Sequence, residues 1–429
     1  MLDGHRILTM HTPSLQASRK MKKTQVGDIP VDWEVCKLGR LVSIQSGGSP
    51  SLYALKSDGL YPFVKVEDLN NCLKYQAASR EYADSAAELI RIGSVIFPKR
   101  GAAISTNKVR IAARPLLMDS NMMAIFPDEG RLASEFLYYT ILFQKLYRIA
   151  DTSTIPQINN KHITPYVIAL PPLAEQKKIA TILGLCDQAV EKQEQRLAWQ
   201  HQFKQGLLQK MLMGKTRFKE FVQSGKKVKT RYGDFPADWS EVHMGDVADE
   251  AGKKNYGGKE LPVLSCTKYR GLVNSLEYFG KRIFSENTST YRIVQRGDFA
   301  YATNHVEEGS IGYQNLHDAA LISPMYTVFR TRAGVDHEFF WKLIKTELYR
   351  HIFEVNTSGS IARRGALRWD EFALIKVFLP GEPEQKRIAA VLNTCDREIE
   401  LLERQLEALK EQKRGLMQKL LTGEVRVKV

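Results

Sequence analysis

The 429-residue chain is poor in cysteine, and it lacks both a membrane-length apolar run and any complete catalytic signature. Its five cysteines, Cys36, Cys72, Cys186, Cys266 and Cys395, are scattered and form no C-x-x-C pair. That excludes a clustered zinc site and fits a reducing compartment, so the expected localisation is cytoplasmic. The nine histidines form no H-x-x-x-H or H-E-x-x-H pair, and no metal ligands are assigned. No apolar stretch approaches the roughly 20 residues that cross a bilayer, and no secretory signal is evident. Residues 1–25 are basic and weakly patterned, and they read as a flexible extension.

Three partial motifs fail on their chemistry. Gly214-Lys215-Thr216 resembles the end of a phosphate loop, but Gln209 stands where the partner glycine is needed, and the tripeptide closes a helix instead of opening one. Ser323-Pro324-Met325-Tyr326 resembles the tetrapeptide with which amino-methyltransferases grip a base. Met325 replaces its second proline, and no glycine-rich methyl-donor loop accompanies it. Pro127-Asp128-Glu129 lacks the E-x-K partner of a metal nuclease. No catalytic residues are assigned.

What the chain does have is charge and repetition. Its formal net charge is +14. An excess of that size points to nucleic acid, the bland alternative being acidic protein partners. The densest basic stretch, Lys215–Arg231, carries seven Lys/Arg against the single acid Glu220 and reads as an exposed linker. Residues 170–218 return at 379–427, shifted by 209 with no gap, and 21 of the 49 positions are identical.

Each copy reads as one long helix. Glu175-Gln176 and Glu384-Gln385 suit the positive end of a helix dipole, and Gly214 and Gly423 are expected as C′ glycines. In the second copy Ile388, Leu392, Cys395, Ile399, Leu402, Leu406, Leu409, Lys413, Leu416 and Leu420 step by four and three, a heptad seam. The first copy keeps register through Ile179, Leu183, Cys186, Val190, Gln193, Leu197, Gln200, Lys204, Leu207 and Met211. Its polar middle predicts that it pairs with the richer second helix. The seam lysines, Lys204 and Lys413, admit two readings: fixing register from inside, or snorkelling to the rim.

The segments between the helices repeat more faintly. Gly27–Trp33 (GDIPVDW) reappears as Gly233–Trp239 (GDFPADW), Ile92–Phe97 aligns with Arg296–Tyr301, and Ser120–Phe126 with Ser323–Phe329. Strands are predicted at Pro62–Val66, Val95–Pro98, Val167–Leu170 and Tyr326–Arg330, and helices at Glu135–Ile149 and Glu338–Phe353. The fold class is therefore α+β: two mixed domains and a coiled coil of two long helices in a pseudo-two-fold repeat. The expected boundaries are 1–25 extension, 26–172 domain 1, 173–214 helix 1, 215–231 linker, 232–381 domain 2, 382–423 helix 2 and 424–429 tail.

The L-P-x-x-x-E-Q-x-x-I-A motif at Leu170–Ala180 and Leu379–Ala389 resembles specificity subunits of type I restriction–modification systems. The P-x-D-W segments at Trp33 and Trp239 and the Q-K-x-L-x-G helix ends add to that resemblance, which covers roughly residues 26–427. It implies two target-recognition domains held apart by an antiparallel coiled coil of two long spacer helices, and a non-catalytic subunit that reads double-stranded DNA. It also implies two modification methyltransferase subunits and ATP-driven restriction/translocase subunits as partners, with adenine methylation or cleavage done by them. S-adenosylmethionine, ATP and Mg are then expected on the partners, with no cofactor in this chain. The spacer would hold two DNA contacts about one to two helical turns apart, at about 34–36 Å per turn.

Candidate DNA contacts, chosen as cationic and amide side chains after strands, are Lys65, Lys99, Arg100, Asn107, Lys108 and Arg110 in domain 1. In domain 2 they are Lys268, Arg270, Asn304, His305, Arg363 and Arg364. Competing readings are a self-sufficient DNA methyltransferase and a coiled-coil scaffold without a DNA role.

Overall fold

The computed structural model describes residues 15–17, 20–84, 88–152, 155–358 and 366–429. The chain divides into two units with interleaved sequence: Met1–Glu194 with Arg404–Val429, and Gln195–Glu403. The repeated segments are single helices, Leu173–Met211 of 39 residues and Glu382–Leu421 of 40. Each helix therefore gives its first half to the unit of its own domain and its last part to the other unit.

In the first unit five strands pair in the order Val42–Ser46, Met122–Pro127, Val95–Pro98, Arg110–Ala112, Tyr75–Gln76. All are antiparallel neighbours except the last pair, which is parallel. Side chains of a strand alternate between faces, so each central strand feeds two cores. Val95, Phe97, Met123 and Ile125 join the cluster with helix Ser134–Gln144, while Ile96, Met122 and Ala124 join a second cluster on the other face. This double burial explains why Val95–Pro98 reads as a continuous apolar run. The first cluster also takes in Ile179 and Leu183 from the start of helix 1, and Leu416, Met417 and Leu420 from the end of helix 2.

The second unit repeats the plan. Ala248–Ala251, Tyr326–Thr331, Phe299–Ala302 and Ile311–Tyr313 form its four-stranded sheet, and the hairpin Leu264–Thr267/Gly271–Asn274 lies beside it. Phe299, Tyr301 and Phe329 pack with helix His337–Ile344, while Ala300 and Val328 face the opposite cluster. Leu207, Leu208 and Met211 from the end of helix 1 and Ile388 and Leu392 from the start of helix 2 complete that core. The two long helices run antiparallel in both units. In the first, Gln193 meets Gln405 and Lys410 pairs with Glu194; in the second, Gln200 donates to Glu398 at 2.6 Å. The polar middle of helix 1 thus meets polar partners.

Along the seam Ile179, Leu183, Ile388, Leu392, Cys395, Ile399, Leu402 and Leu406 are buried. Cys186, Val190, Leu197, Leu207, Leu409 and Leu416 are half-buried. Gly214 closes helix 1 at φ +64°, with its own N–H bonded to Met211 O and that of Lys215 to Lys210 O, the pattern of a Schellman cap.

Four expectations need correction. The segment before residue 26 is not wholly an extension: Met21–Thr24 pairs with Gly27–Pro30, and Leu15–Ala17 pairs with Val425–Val427. The C-terminal tail is therefore a strand in the first unit. The basic linker is not uniformly exposed, because Arg217 is buried and Lys227–Thr230 forms a hairpin strand with Gly233–Pro236. The two domain helices are each broken, into Ser134–Gln144 with Leu146–Ile149 and into His337–Ile344 with Glu347–Ser358. At the first break Lys145 adopts φ +65°, and Asn107 spans it by donating to Leu142 O and accepting from Leu146 N.

A Cβ at Gly214 would lie 2.4 Å from Pro236, and one at Gly423 would lie 2.4 Å from Pro30. Gly206 and Gly415, equivalent positions within the helices, have nothing within 4 Å. Gly214→Ala and Gly423→Ala should therefore each destabilise by more than about 1 kcal/mol, since positive φ and a clash add. Gly206→Ala and Gly415→Ala should each stabilise by about 0.5–1 kcal/mol. Denaturant unfolding of the four variants tests the sign in each case.

Candidate nucleic-acid interface

Each unit is closed by an arginine that arrives from the other repeat's helix. Arg426, just past the end of helix 2, binds Glu175 at the start of helix 1 through Nε and Nη2, at 2.6 and 2.7 Å. It also binds both oxygens of Asp32 at 2.8–2.9 Å. In the second unit Arg217 does the same with Glu384, at 2.8 Å twice, and with Asp238 at 2.6 Å. Glu175 and Glu384 are only 2% and 3% exposed, so each needs its bidentate guanidinium. The ring of Trp33 lies 5.8 Å from the Arg426 guanidinium, its Nε1 donates to Glu175, and Trp239 lies at the same distance from Arg217. The repeated P-x-D-W segment is thus a socket: its aspartate takes the arginine, its tryptophan covers it, and its proline meets the helix-capping glycine.

The neighbouring glutamines fasten the domain. Gln176 accepts from Ala133 N and donates to Arg131 O and Pro171 O; Gln385 accepts from Asp336 N and donates to Gly334 O and Pro380 O. Further along, the seam lysines are paired across the helices and do not snorkel: Lys413 with Asp187, Lys204 with Asp396. Asp187 also accepts from Tyr139 at 2.5 Å, and Asp396 binds Lys342 at 2.8 Å. Burial alone would raise the Asp396 carboxyl, but the two ammonium groups hold it below the usual carboxylate range. One carboxylate in each unit therefore ties the partner helix to a domain helix, which fixes how each domain sits on its helices. Sequence reading passed over Arg217, Arg426, Asp32 and Asp238. Their signal was the constant 209-residue offset of the two arginines, each placed three residues past a capping glycine.

The proposed DNA contacts divide by what already holds them. Arg110 donates to the carbonyls of Cys72, Val109 and Leu69, and Asn107 is spent on the helix break; both are reassigned to the fold. Lys65 pairs with Glu81, whose hydrogen bond raises its pKa, and Lys108 donates to Asn70. His305 shares one turn with Glu307 and Glu308 and lies 3.4 Å from Glu308. Asn304 is exposed beside it. Arg100 is exposed, whereas Lys99 is half-buried, and burial lowers its pKa. Lys268 and Arg270 are exposed on the turn of the Leu264–Thr267/Gly271–Asn274 hairpin. Arg363 and Arg364 lie outside the described residues. Among the described residues no helix is long and apolar enough to cross a membrane.

Two copies of one α+β module, each closed on a shared antiparallel helix pair, define a protein with two related but unlike domains. The sequence model of the type I restriction modification DNA specificity domain matches residues 30–198 and 236–411, and the chain belongs to that family. It is 24% identical to the type I restriction enzyme MjaVIII specificity subunit of Methanocaldococcus jannaschii, over 93% of this chain and 94% of that one. The MjaX specificity subunit of the same organism, a putative assignment, is 25% identical over 95% and 97%. Among solved structures, the type I restriction–modification S subunit from M. genitalium shares its fold at TM-score 0.53 and 14% identity, covering 96% of this chain and 99% of that one. The HsdS subunit from Thermoanaerobacter tengcongensis does so at TM-score 0.51 and 18% identity, covering 94% and 100%.

Arg426→Gln or Arg217→Gln should cost about 3–5 kcal/mol, because each leaves a buried glutamate unpaired. Removing an exposed partner such as Lys410 should cost under about 1 kcal/mol. Calorimetric melting separates the two, and equal losses would contradict the closure. Arg426 also holds the Asp32 carboxyl below its ordinary value. That contribution is present above the unfolded-state pKa near 4 and is lost as pH falls through the lowered folded value. The melting temperature should drop below about pH 4, and less steeply in Asp32→Asn.

Proposed function

We propose that this chain is the DNA-sequence-recognition subunit of a type I restriction–modification complex. Each domain reads one short half-site, and the helices set an unread gap between the two readings. The supporting observation is the interleaving: each unit holds one domain on parts of both repeated helices, so a domain cannot shift without disturbing the pair. Helices of about 40 residues span roughly 60 Å at 1.5 Å per residue, long enough for readings one to two DNA turns apart. The chain supplies positioning and no chemistry. Two modification methyltransferase subunits carry S-adenosylmethionine and methylate adenine, and restriction/translocase subunits carry ATP and Mg, all in the cytoplasm.

Methylome sequencing with and without the gene tests this reading, because methyl marks in two short half-sites with a fixed gap should vanish on deletion. Marks that persist unchanged would contradict it. A matched insertion of one heptad into both helices adds about 10 Å, about three base pairs of rise. The gap should grow by about that number while both half-sites stay the same. An unchanged gap in an assembled complex would sink the ruler.

A further inference from the structure

In the second unit, domain 2 and the last turns of helix 1 enclose a cleft of about 890 Å³. Seven of its lining side chains are cations and three are carboxylates. Two of those carboxylates are already engaged, Asp396 by Lys204 and Lys342 and Glu347 by Arg350, while Glu308 has only His305 at 3.4 Å, a counterion only when protonated, so one acid stands against the remaining cations. Lys215, Lys268, Arg270 and Lys345 have no carboxylate in ion-pair range among the described residues. Lys345 is the most informative of them. Its Nζ donates to Lys268 O at 2.7 Å and Gly309 O at 2.8 Å, and it lies 5.2 Å from the Trp341 ring. Dipoles and a ring face thus stand in for a counterion, and burial lowers its pKa. A partly desolvated cation held this way gains more from an anion than a surface lysine does. Tyr269, 85% exposed, lies at the rim with Lys268 5.4 Å from its ring. Cations without carboxylate partners, gathered around one cleft, suit the phosphates of a nucleic-acid backbone.

The first unit neutralises its equivalent place internally. Lys74 Nζ sits 4.8–5.5 Å from the rings of Tyr75, Tyr138 and Tyr139, and 3.3 Å from Glu135. Tyr138 and Tyr139 occupy the positions of Trp341 and Lys342. The unbalanced charge in the second unit is therefore a departure from the shared frame, not a consequence of it.

We propose that this cleft is a phosphodiester site, where Lys215, Lys268, Arg270 and Lys345 hold duplex DNA backbone beside domain 2 without reading bases. The inference rests on the DNA-recognition reading above. The test measures binding of the full-length chain, assembled with its partners, to a target duplex and a scrambled duplex across a salt series. In Lys268→Gln/Arg270→Gln the slope of log affinity against log salt should become shallower by about 1.8, at about 0.9 per phosphate contact, equally for both duplexes. Glu308→Gln, which removes a negative charge from the lining, should tighten both. An unchanged slope overturns the site while leaving DNA recognition standing. A loss confined to the target duplex makes the two residues base readers and also overturns it. If the parent assembly binds neither duplex, the recognition reading itself fails.

Discussion

Everything else in this structure depends on a buried glutamate meeting an arginine that comes from the other repeat. Glu175 opens helix 1 and is held by Arg426 from the end of helix 2; Glu384 opens helix 2 and is held by Arg217 from the end of helix 1. Both carboxylates are almost wholly buried, so each unit is complete only when chain from both repeats is present. The consequence is topological. Neither half of the sequence corresponds to a unit of the fold, and the C-terminal strand Val425–Val427 belongs with domain 1.

Magnitude separates this closure from the other charge pairs along the helices. Lys410–Glu194 and His201–Glu403 are exposed on both sides and contribute little once side-chain entropy and salt screening are counted. Lys204–Asp396 and Lys413–Asp187 fall between, because each aspartate also grips a domain helix through Lys342 or Tyr139. The apolar seam supplies the bulk of the attraction between helices, while these polar contacts select antiparallel pairing and its register. Gln200 with Glu398 serves the same end in the middle of helix 1, where leucine is missing.

A frame that holds each domain by its socket, its glutamine clamp and its aspartate leaves the far side of the sheet free to vary. That division suits a specificity subunit, in which new targets require new loops on an unchanged mount. The two copies have diverged accordingly. Domain 1 buries Lys74 among three tyrosines, whereas domain 2 keeps an open cationic cleft against the helix, so the two surfaces offer DNA different charge.

The sequence by itself determined the two-fold repeat, the long helices, their seam and capping glycines, and the four strands it marks with apolar runs. These follow from periodicity and local backbone demands, which are short-range. Part of the site was legible in the same way, since Glu175-Gln176 and the P-x-D-W segments stood out as repeated words. What those words do was decided by tertiary structure alone. Asp32 lies 394 residues from Arg426, and no local pattern links them. The same limit explains the misread cations. Arg110 and Asn107 look like DNA contacts in a string of basic and amide residues, and only the fold supplies the carbonyls that occupy them. Arg217 looks like one charge in a basic linker until the buried carboxylate of Glu384 meets it. A residue's type can be read from the chain, but its partner depends on which distant segments packing brings within 3 Å.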